Sequence, residues 1–252
     1  MNRSRFLSHG ALRRLLAVVV LTVLVAGCAS TPANPDDPLE RYNRAMFAVN
    51  DAADRAVLRP VARVYKTVTP QPVRTGVGNF FSNLGDVWIG ANNFLQGKFE
   101  QGFSDLMRVG INTTFGLVGL LDIASEMGFT KNDEDFGQTL AVWGVGDGPY
   151  VVLPILGPRT LRDAVATPVD LAADDVWGIT HVRTRNSLTG LRLVNTRAGF
   201  VGIDRTIERA TLDKYAYTRD FYLQQRRHKV YDGNPPIEYE DFDWMDEDDG
   251  AN

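Results

Sequence analysis

The sequence is poor in the residues that build covalent or metal-bound frameworks. Its 252 residues include 1 Cys, Cys28, and 3 His. A single Cys excludes an internal disulfide framework and any zinc or iron–sulfur site with several cysteine ligands. Neither His181 nor His228 belongs to a His-x-x-x-His or His-Glu-x-x-His pattern. A metallohydrolase is therefore not expected, and we expect no bound metal.

Signatures of catalysis, of nucleotide binding and of nucleic-acid binding are also missing. The sequence has no Gly-x-Ser-x-Gly elbow of a lipase and no phosphate-binding Gly-x-x-x-x-Gly-Lys-Ser/Thr loop. The glycine-rich stretch 144–148 has no βαβ pattern around it, so loop geometry explains it more simply than a phosphate cradle does. Residues 28–233 carry 23 basic and 23 acidic side chains, and no basic nucleic-acid surface is visible. We expect no enzyme, no cofactor and no nucleic-acid partner.

A long hydrophobic run is present only near the N-terminus. Two arginines at positions 13 and 14 precede residues 15–27, in which Thr22 is the one polar side chain. This run is shorter than the roughly 20 residues that a membrane-spanning helix needs. Small residues then lead to Cys28, an order that predicts a signal peptide over residues 1–27, a lipobox and acylation of Cys28. The acyl chains, palmitate among them, would hold the mature chain in a membrane.

The residue after Cys28 indicates whether the anchored protein stays at the inner membrane or moves to the outer membrane. Ala29 follows the anchor, where an acidic residue would favour retention at the inner membrane by analogy with the enterobacterial sorting rule. The sequence therefore predicts a lipid-anchored protein at the periplasmic leaflet of the outer membrane. Residues 28–38 form the acylated linker, residues 39–233 a helical domain, and residues 234–252 an acidic tail with eight acids and no Lys or Arg. We expect the tail to be disordered.

The first helix of the domain is predicted to begin at Asp36 to Pro38. Two acidic cap residues and a proline at a first-turn position favour a helix start there. At about 100° per residue, one stripe of the helix is apolar and the opposite side is charged. Pro60 is expected to end or restart the helix. The apolar stripe consists of Leu39, Tyr42, Met46, Val49, Ala53 and Val57.

Ten glycines interrupt the apolar stretch between positions 76 and 128. This pattern predicts short helices that meet at tight bends, and Asn50, Asn79, Asn83 and Asn93 are expected to cap or bend them. Within 98–115 the apolar face is broad and the polar face is a narrow seam. The apolar residues are Phe99, Phe103, Leu106, Met107, Ile111 and Phe115, and the seam consists of Gln101, Asp105, Arg108 and Asn112.

The combination of a broad apolar face and a narrow polar seam in helix 98–115 has two interpretations. The helix can be buried in a soluble core, where Asp105 and Arg108 pair with each other. Alternatively, its apolar surface lies against lipid or other membrane-embedded helices, and its seam faces a wet cavity, since polar groups at bilayer depth must face protein or water. Periodicity does not separate the two, but the predicted acyl anchor favours the second.

The second half of the domain combines a loop and three helices. Residues 135–158 are rich in Gly and Pro, which predicts an ordered apolar loop with a short strand over residues 150–153. Periodicity predicts helices at 159–175, 186–212 and 213–229. In the last of these, Arg226, Arg227 and Lys229 lie near the C-terminus, where they suit either the helix dipole or contact with lipid headgroups.

Several motifs along residues 36–233 together resemble the VacJ/MlaA family of bacterial lipoproteins. They occur in the family's order and are collectively specific. The shorter stretches are 43–50, 93–97, 108–116 and 148–158. The longer motifs read Asp37-Pro38-Leu39-Glu40, Arg59-Pro60-Val61-Ala62, Asn79-Phe80-Phe81-Ser82-Asn83-Leu84, Asp135-Phe136-Gly137-Gln138-Thr139-Leu140 and Leu161-Arg162-Asp163.

The resemblance implies an all-α fold: a single disc-like domain of short amphipathic helices, with a Gly/Pro-rich apolar loop, around an amphipathic channel. It also implies a non-enzymatic function. Members of the family remove mislocalised phospholipids from the outer leaflet of the outer membrane and so maintain lipid asymmetry. They pass the lipids to a periplasmic phospholipid carrier that feeds an inner-membrane ABC transporter, and they associate with trimeric porins.

Seven residues are candidates for a lipid channel: Gln101, Asp105, Arg108, Asn112, Gln138, Arg162 and Asp163. Arg108 and Arg162 would meet the lipid phosphate, since a guanidinium matches phosphate geometry. A structural salt bridge or helix cap is the alternative role for each of the seven. Two other functions stay open: a structural lipoprotein that scaffolds porins without moving lipid, and a lipid-cleaving enzyme, for which the two mature histidines would be required.

Overall fold

The computed structural model describes residues 37–174, 176 and 178–236. The predicted signal peptide, the anchor at Cys28 and the predicted tail from residue 237 onward lie outside these residues. The described chain consists of helices and one two-stranded sheet, which confirms the predicted all-α class. Within the described ranges, no helix is both long enough and apolar enough to cross a bilayer.

The N-terminal helices follow one another without a break. Helix α1 covers Glu40–Ala53, a π-helical segment covers Asp54–Leu58, and helix α2 covers Arg59–Val68. Pro60 lies in the first turn of α2, where its missing N–H is not needed for the helix. Pro60 therefore lies where the α-helix resumes after the π-helical segment, and the backbone stays helical through it.

The predicted apolar stripe of α1 forms its inner face only in part, since Met46 packs against the hydrophobic core. Leu39, Val49 and Val57 are exposed, whereas Asn43 is fully buried. The Asn43 amide donates to the carbonyl of Tyr150 at 3.0 Å, and its oxygen accepts from the backbone N–H of Val152 at 2.8 Å. This side of α1 faces inward because it pairs with backbone elsewhere, which hydrophobic periodicity does not register.

Helices α3, Gln71–Leu95, and α4, Phe99–Thr114, form an antiparallel hairpin. The prediction of short helices with tight bends is wrong for α3, because four of the glycines lie inside this 25-residue helix. Glycine here permits close helix packing: a Cβ at Gly90 would lie 3.3 Å from the Gly102 carbonyl oxygen, and one at Gly102 would lie 2.8 Å from the Phe94 ring. Gly97 makes the turn between the helices with φ of +79°.

A hairpin of two strands lies between short helices in the middle of the chain. After α5, Ile123–Glu126, and α6, Phe136–Val142, strand β1, Tyr150–Leu153, pairs antiparallel with β2, Gly157–Thr160. The predicted strand at 150–153 is confirmed, but the prediction of a loop is wrong for residues 136–142, which form α6. Helix α7, Leu161–Ala173, follows directly and is capped by the Thr160 side chain, so β2 takes the first two residues of the predicted helix 159–175.

Three helices complete the described chain. Helix α8 covers Val182–Phe200, α9 covers Asp204–Ala210 and α10 covers Lys214–Val230. The predicted single helix over 186–212 is therefore wrong, since the chain turns at residues 201–203 and resumes at Asp204. His181 caps α8 by accepting from the Thr184 N–H, which starts that helix earlier than its apolar periodicity indicates.

The buried side chains of the protein are more often polar than apolar. Among the described residues, 18 buried side chains are polar or charged and 11 are apolar. Many large apolar side chains face outward instead, and Phe103 and Phe115 are 62% and 70% exposed. The hydrophobic core is small and centres on Tyr150, Val152 and Tyr215. This distribution inverts the usual one of soluble proteins.

Candidate functional site

The polar seam of α4 is buried in a network centred on Arg108. The Arg108 side chain is 1% exposed, and each guanidinium nitrogen has a partner. Its Nε donates to Asp86 at 3.3 Å, its Nη2 to Asp122 at 3.0 Å, and its Nη1 to the Phe129 carbonyl at 2.7 Å and to Ser125 Oγ at 3.0 Å. The network joins α3, α4 and α5 and leaves no donor of this arginine for a ligand.

Asp105 and Asn112 extend the same network along α4. Asp105 accepts hydrogen bonds from the amides of Asn93, at 2.8 Å, and Asn132, at 3.0 Å. Burial raises the pKa of the Asp105 carboxyl, and these two hydrogen bonds partly oppose the rise. Asn112 donates to Asp122 at 3.0 Å. The partner of Arg108 is therefore not Asp105, contrary to the soluble-core interpretation.

Asp122 is the carboxylate that accepts most of the hydrogen bonds in this network. Burial acts to raise the pKa of its carboxyl, but hydrogen bonds from Ser125, Asn112 and Arg108 outweigh burial and lower the pKa to about 2. Gln101, the fourth residue of the predicted seam, is exposed. The apolar face of α4 is exposed as well, apart from Ile111, so the helix is not enclosed in an apolar core.

A second buried network joins α6, α7 and α10. The Arg226 guanidinium donates to both Asp135 oxygens, at 2.6 and 2.7 Å, and to Asp163 at 2.8 Å. Tyr222 donates to the other Asp163 oxygen at 2.8 Å. Burial acts to raise the pKa of the Asp135 carboxyl, but the hydrogen bonds and charge of Arg226 outweigh it and lower the pKa. Arg226 thus serves neither the helix end nor a headgroup, the two roles expected from the sequence.

Gly137 is required where these groups converge. A Cβ at this position would collide with the Asp163 carboxylate and the Arg226 guanidinium. Arg162 packs behind them, is buried, and pairs with Asp147 and with Asp163 at 3.2 Å. Gln138 is also buried, and its amide donates to the Asp133 carbonyl at 2.8 Å.

A cavity of about 560 Å³ lies beside the second network. Its wall is amphipathic: α3 contributes mainly apolar side chains, whereas α7, α10 and the segment before α6 contribute charged ones. Six acidic and four basic residues line it. The apolar residues include Leu84, Trp88, Ile89 and Leu171, the acids are Asp133, Glu134, Asp135, Asp163, Asp170 and Asp174, and the bases are Arg159, Arg192, Arg226 and Lys229.

Two charged residues of this wall differ from the rest in having no partner of opposite charge within the described chain. Arg159 donates to the Pro158 carbonyl at 2.9 Å, and Asp170 accepts from the Trp88 indole at 2.8 Å and from the Phe136 backbone N–H at 2.9 Å. Burial raises the pKa of the Asp170 carboxyl, and these two hydrogen bonds partly oppose the rise. The other three bases pair with Asp174, with Asp135 and Asp163, and with Asp133.

Of the seven residues predicted for a channel, the structure places Asp163 on the wall of this cavity. Arg162 and Gln138 lie in the layer behind it. Asp105, Arg108 and Asn112 belong to the separate network between α3, α4 and α5. Sequence reasoning missed Arg159 and Asp170, because a residue of a four-residue strand and a single acid on α7 stand out in no periodic pattern.

The fold and the cavity define a class of protein: a helical protein with an apolar periphery and a charged interior beside an amphipathic cavity. The model of the MlaA lipoprotein family matches residues 35–229. The chain belongs to this family, as the sequence motifs predicted.

Curated relatives agree with this assignment. The intermembrane phospholipid transport system lipoprotein MlaA of Shigella flexneri is 36% identical over 220 residues, which cover 84% of this chain and 86% of the relative. The protein of the same name from Haemophilus influenzae is 29% identical over 237 residues, or 88% and 92% of the two chains. An uncharacterised protein of Rickettsia bellii is 34% identical over 196 residues, or 77% and 76%.

A solved structure has the same fold. It belongs to work on the structural basis for maintenance of bacterial outer membrane lipid asymmetry, and its chain is 33% identical in sequence. The match has a TM-score of 0.67 and covers 79% of this chain and 99% of the other.

Proposed function

We propose that the protein removes mislocalised phospholipids from the outer leaflet of the outer membrane and passes them to a periplasmic phospholipid carrier. Family membership, relatives named for intermembrane phospholipid transport, and similarity to a structure from work on outer membrane lipid asymmetry support this proposal. Retrograde transport then continues through an inner-membrane ABC transporter.

The observation that carries the proposal is the combination of an apolar periphery with an amphipathic cavity. A phospholipid has a charged headgroup and two apolar tails, so a conduit must solvate the head while the tails stay in an apolar environment. Exposed side chains such as Phe103 and Phe115 suit contact with acyl chains, and the charged wall of the cavity suits a headgroup. Moving an intact lipid in this way requires no catalytic group.

The location follows from the N-terminal sequence. Acyl chains on Cys28 would hold the protein in the periplasmic leaflet of the outer membrane, because each buried methylene contributes about 0.8 kcal/mol. A trimeric porin is the proposed partner within that membrane. Exposed apolar side chains of the helices would then contact lipid or the porin.

One observation favours the alternative of a porin scaffold that moves no lipid. The α4 seam is closed by hydrogen-bonded ion pairs around Arg108 and does not line the cavity. The cavity beside Asp163 and Asp170 is the feature that a scaffold would not need. The two functions therefore differ in what this cavity does.

Lipid transfer from asymmetric vesicles tests the proposal. The lipidated full chain is reconstituted in vesicles that carry a fluorescent phospholipid in the leaflet opposite the anchor, and the carrier is added on the anchored side. We expect the labelled lipid to leave that leaflet at a rate proportional to the amount of protein. Loss no faster than from protein-free vesicles, with porin binding retained, would establish the scaffold function instead.

A further inference from the structure

The basic side chains on the wall of the cavity beside Asp163 differ in whether a carboxylate pairs with them. Three of its four basic side chains are held by carboxylates of the same wall: Arg192 by Asp174, Arg226 by Asp135 and Asp163, and Lys229 by Asp133. The positive charge of each of these three side chains is therefore already compensated by a carboxylate of the same wall. Arg159 is the remaining base, and in the described part of the chain no carboxylate pairs with it.

Arg159 is positioned as an anion-binding side chain. It projects from β2, is half-buried, and uses Nη1 for the carbonyl of Pro158. Its Nε and Nη2 are left for a ligand. Burial and Asp163 raise the pKa of the Tyr222 hydroxyl, and the charges of Arg226 and, to a smaller extent, Arg159 oppose this rise. The Arg159 guanidinium therefore acts on the part of the cavity where α7 and α10 meet, and a guanidinium binds a phosphodiester with two parallel hydrogen bonds.

Asp170 is the corresponding unpaired acid. Both of its hydrogen bonds, from the Trp88 indole and from the Phe136 N–H, end on Oδ1, which leaves Oδ2 for a ligand. The indole bond fixes the carboxylate against α3, the more apolar side of the same cavity. A carboxylate held in this way favours a cation, and an ammonium group supplies three donors.

We propose that Arg159 binds the phosphodiester of a glycerophospholipid in this cavity and that Asp170 binds its headgroup ammonium, so that the site prefers phosphatidylethanolamine to phosphatidylglycerol. The assignment rests on the proposed function and adds a substrate class to it.

Titration of the lipidated full chain in mild detergent tests the assignment. Dihexanoyl phosphatidylethanolamine and dihexanoyl phosphatidylglycerol serve as lipid probes, and inorganic phosphate serves as the probe for a plain anion site. We expect the ethanolamine lipid to bind more tightly than the glycerol lipid. Arg159→Gln should weaken both lipids by about tenfold, the usual effect of losing one charge-assisted hydrogen-bonded contact.

The variants separate the two parts of the assignment. Arg159→Lys retains the positive charge but lacks the two parallel N–H donors of the guanidinium, so it should weaken binding less than Arg159→Gln does. Asp170→Asn should remove the preference between the two lipids. Arg183→Gln, an exposed arginine at the start of α8 away from the cavity, is the matched control and should bind both lipids as the wild type does.

Each contrary result has a distinct meaning. Wild-type affinity in Arg159→Gln, or an unchanged preference in Asp170→Asn, would overturn the corresponding assignment and leave lipid transport intact. Inorganic phosphate that displaces the lipids at equal concentration would reduce the site to a general anion site and overturn the lipid assignment. Failure of the wild type to bind either lipid would overturn this inference alone, because lipid transfer from asymmetric vesicles tests the proposed function separately.

Discussion

At the scale of single residues, the arginines of the interior differ by what surrounds them. Arg108, Arg162 and Arg226 are buried against carboxylates, whereas Arg159 lines the cavity with no such partner in the described chain. A buried ion pair that loses one member leaves an uncompensated charge. The first three are therefore structural groups, and the fourth is available to a ligand.

Replacement of Arg108 tests the structural role of the α4 seam. Arg108→Met leaves Asp86 and Asp122 without their guanidinium and should lower the free energy of unfolding by about 3–5 kcal/mol. Thermal unfolding in mild detergent, followed by circular dichroism, measures the change. Arg183→Met on the exposed start of α8 is the control and should change stability by less than about 0.5 kcal/mol. A wild-type melting temperature for Arg108→Met would contradict the structural role.

The acid stability of the protein should depend on Asp122. Its folded pKa, about 2, lies below the ordinary value of 3.8, so its contribution is present above the ordinary value and is lost as the pH falls through the folded one. That contribution is roughly 2 kcal/mol by linkage. Between pH 4 and pH 2 the wild type should lose stability more steeply than Asp122→Asn. Parallel pH profiles for the two proteins would contradict this prediction.

At the scale of helices and strands, sequence patterns predicted those elements whose position depends on interactions between neighbouring residues. The strand 150–153 and helix α10 lie where the Gly- and Pro-rich apolar stretch and the helical periodicity placed them. The prediction is wrong for helix α3 because its glycines do not break the helix: Gly90 lies against α4, and Gly76 and Gly78 lie against Leu120 and Asn195. The expectation that Asn50, Asn79, Asn83 and Asn93 cap or bend helices is also wrong, since each donates a hydrogen bond to another part of the chain.

The candidate site shows the same division between local and long-range information. The spacing of three and four residues between Asp105, Arg108 and Asn112 placed these side chains on one face of α4, and all three are buried. Periodicity gave no means of distinguishing an ion-paired interior from a cavity wall, because the two differ only in the partners supplied by other helices. The cavity residues Arg159 and Asp170 depend on the packing of β2, α3 and α7, which no single segment encodes.

Two glycines of α4 should respond to alanine with opposite signs. A Cβ at Gly102 would lie 2.8 Å from the Phe94 ring, whereas one at Gly110 would meet nothing within 4 Å. Gly102→Ala should therefore destabilise the protein by about 1–3 kcal/mol through overpacking. Gly110→Ala should stabilise it by up to about 1 kcal/mol, because alanine has the higher helix propensity. Chemical or thermal unfolding in detergent measures both, and equal effects would contradict the close packing of α3 and α4.

At the scale of the whole molecule, the apolar periphery and the charged interior are two parts of one arrangement. Exposed apolar surface costs about 25 cal/mol per Å² in water, so side chains such as Phe103 and Phe115 favour an environment of acyl chains or a partner protein. Charged side chains in that environment must pair with each other or face a hydrated cavity. The ion-paired networks and the cavity satisfy these two requirements.

Blocking the cavity is the most direct test that it forms the lipid path. Gly85 lines the cavity on α3, and a Cβ there would meet nothing within 4 Å, so Gly85→Trp should fill the cavity without disturbing the backbone. Gly110→Trp places the same side chain on an exposed face of α4. In the asymmetric-vesicle assay, Gly85→Trp should stop transfer of labelled phospholipid and Gly110→Trp should transfer it at the wild-type rate. Equal, undiminished transfer by the two folded variants would contradict a lipid path through this cavity.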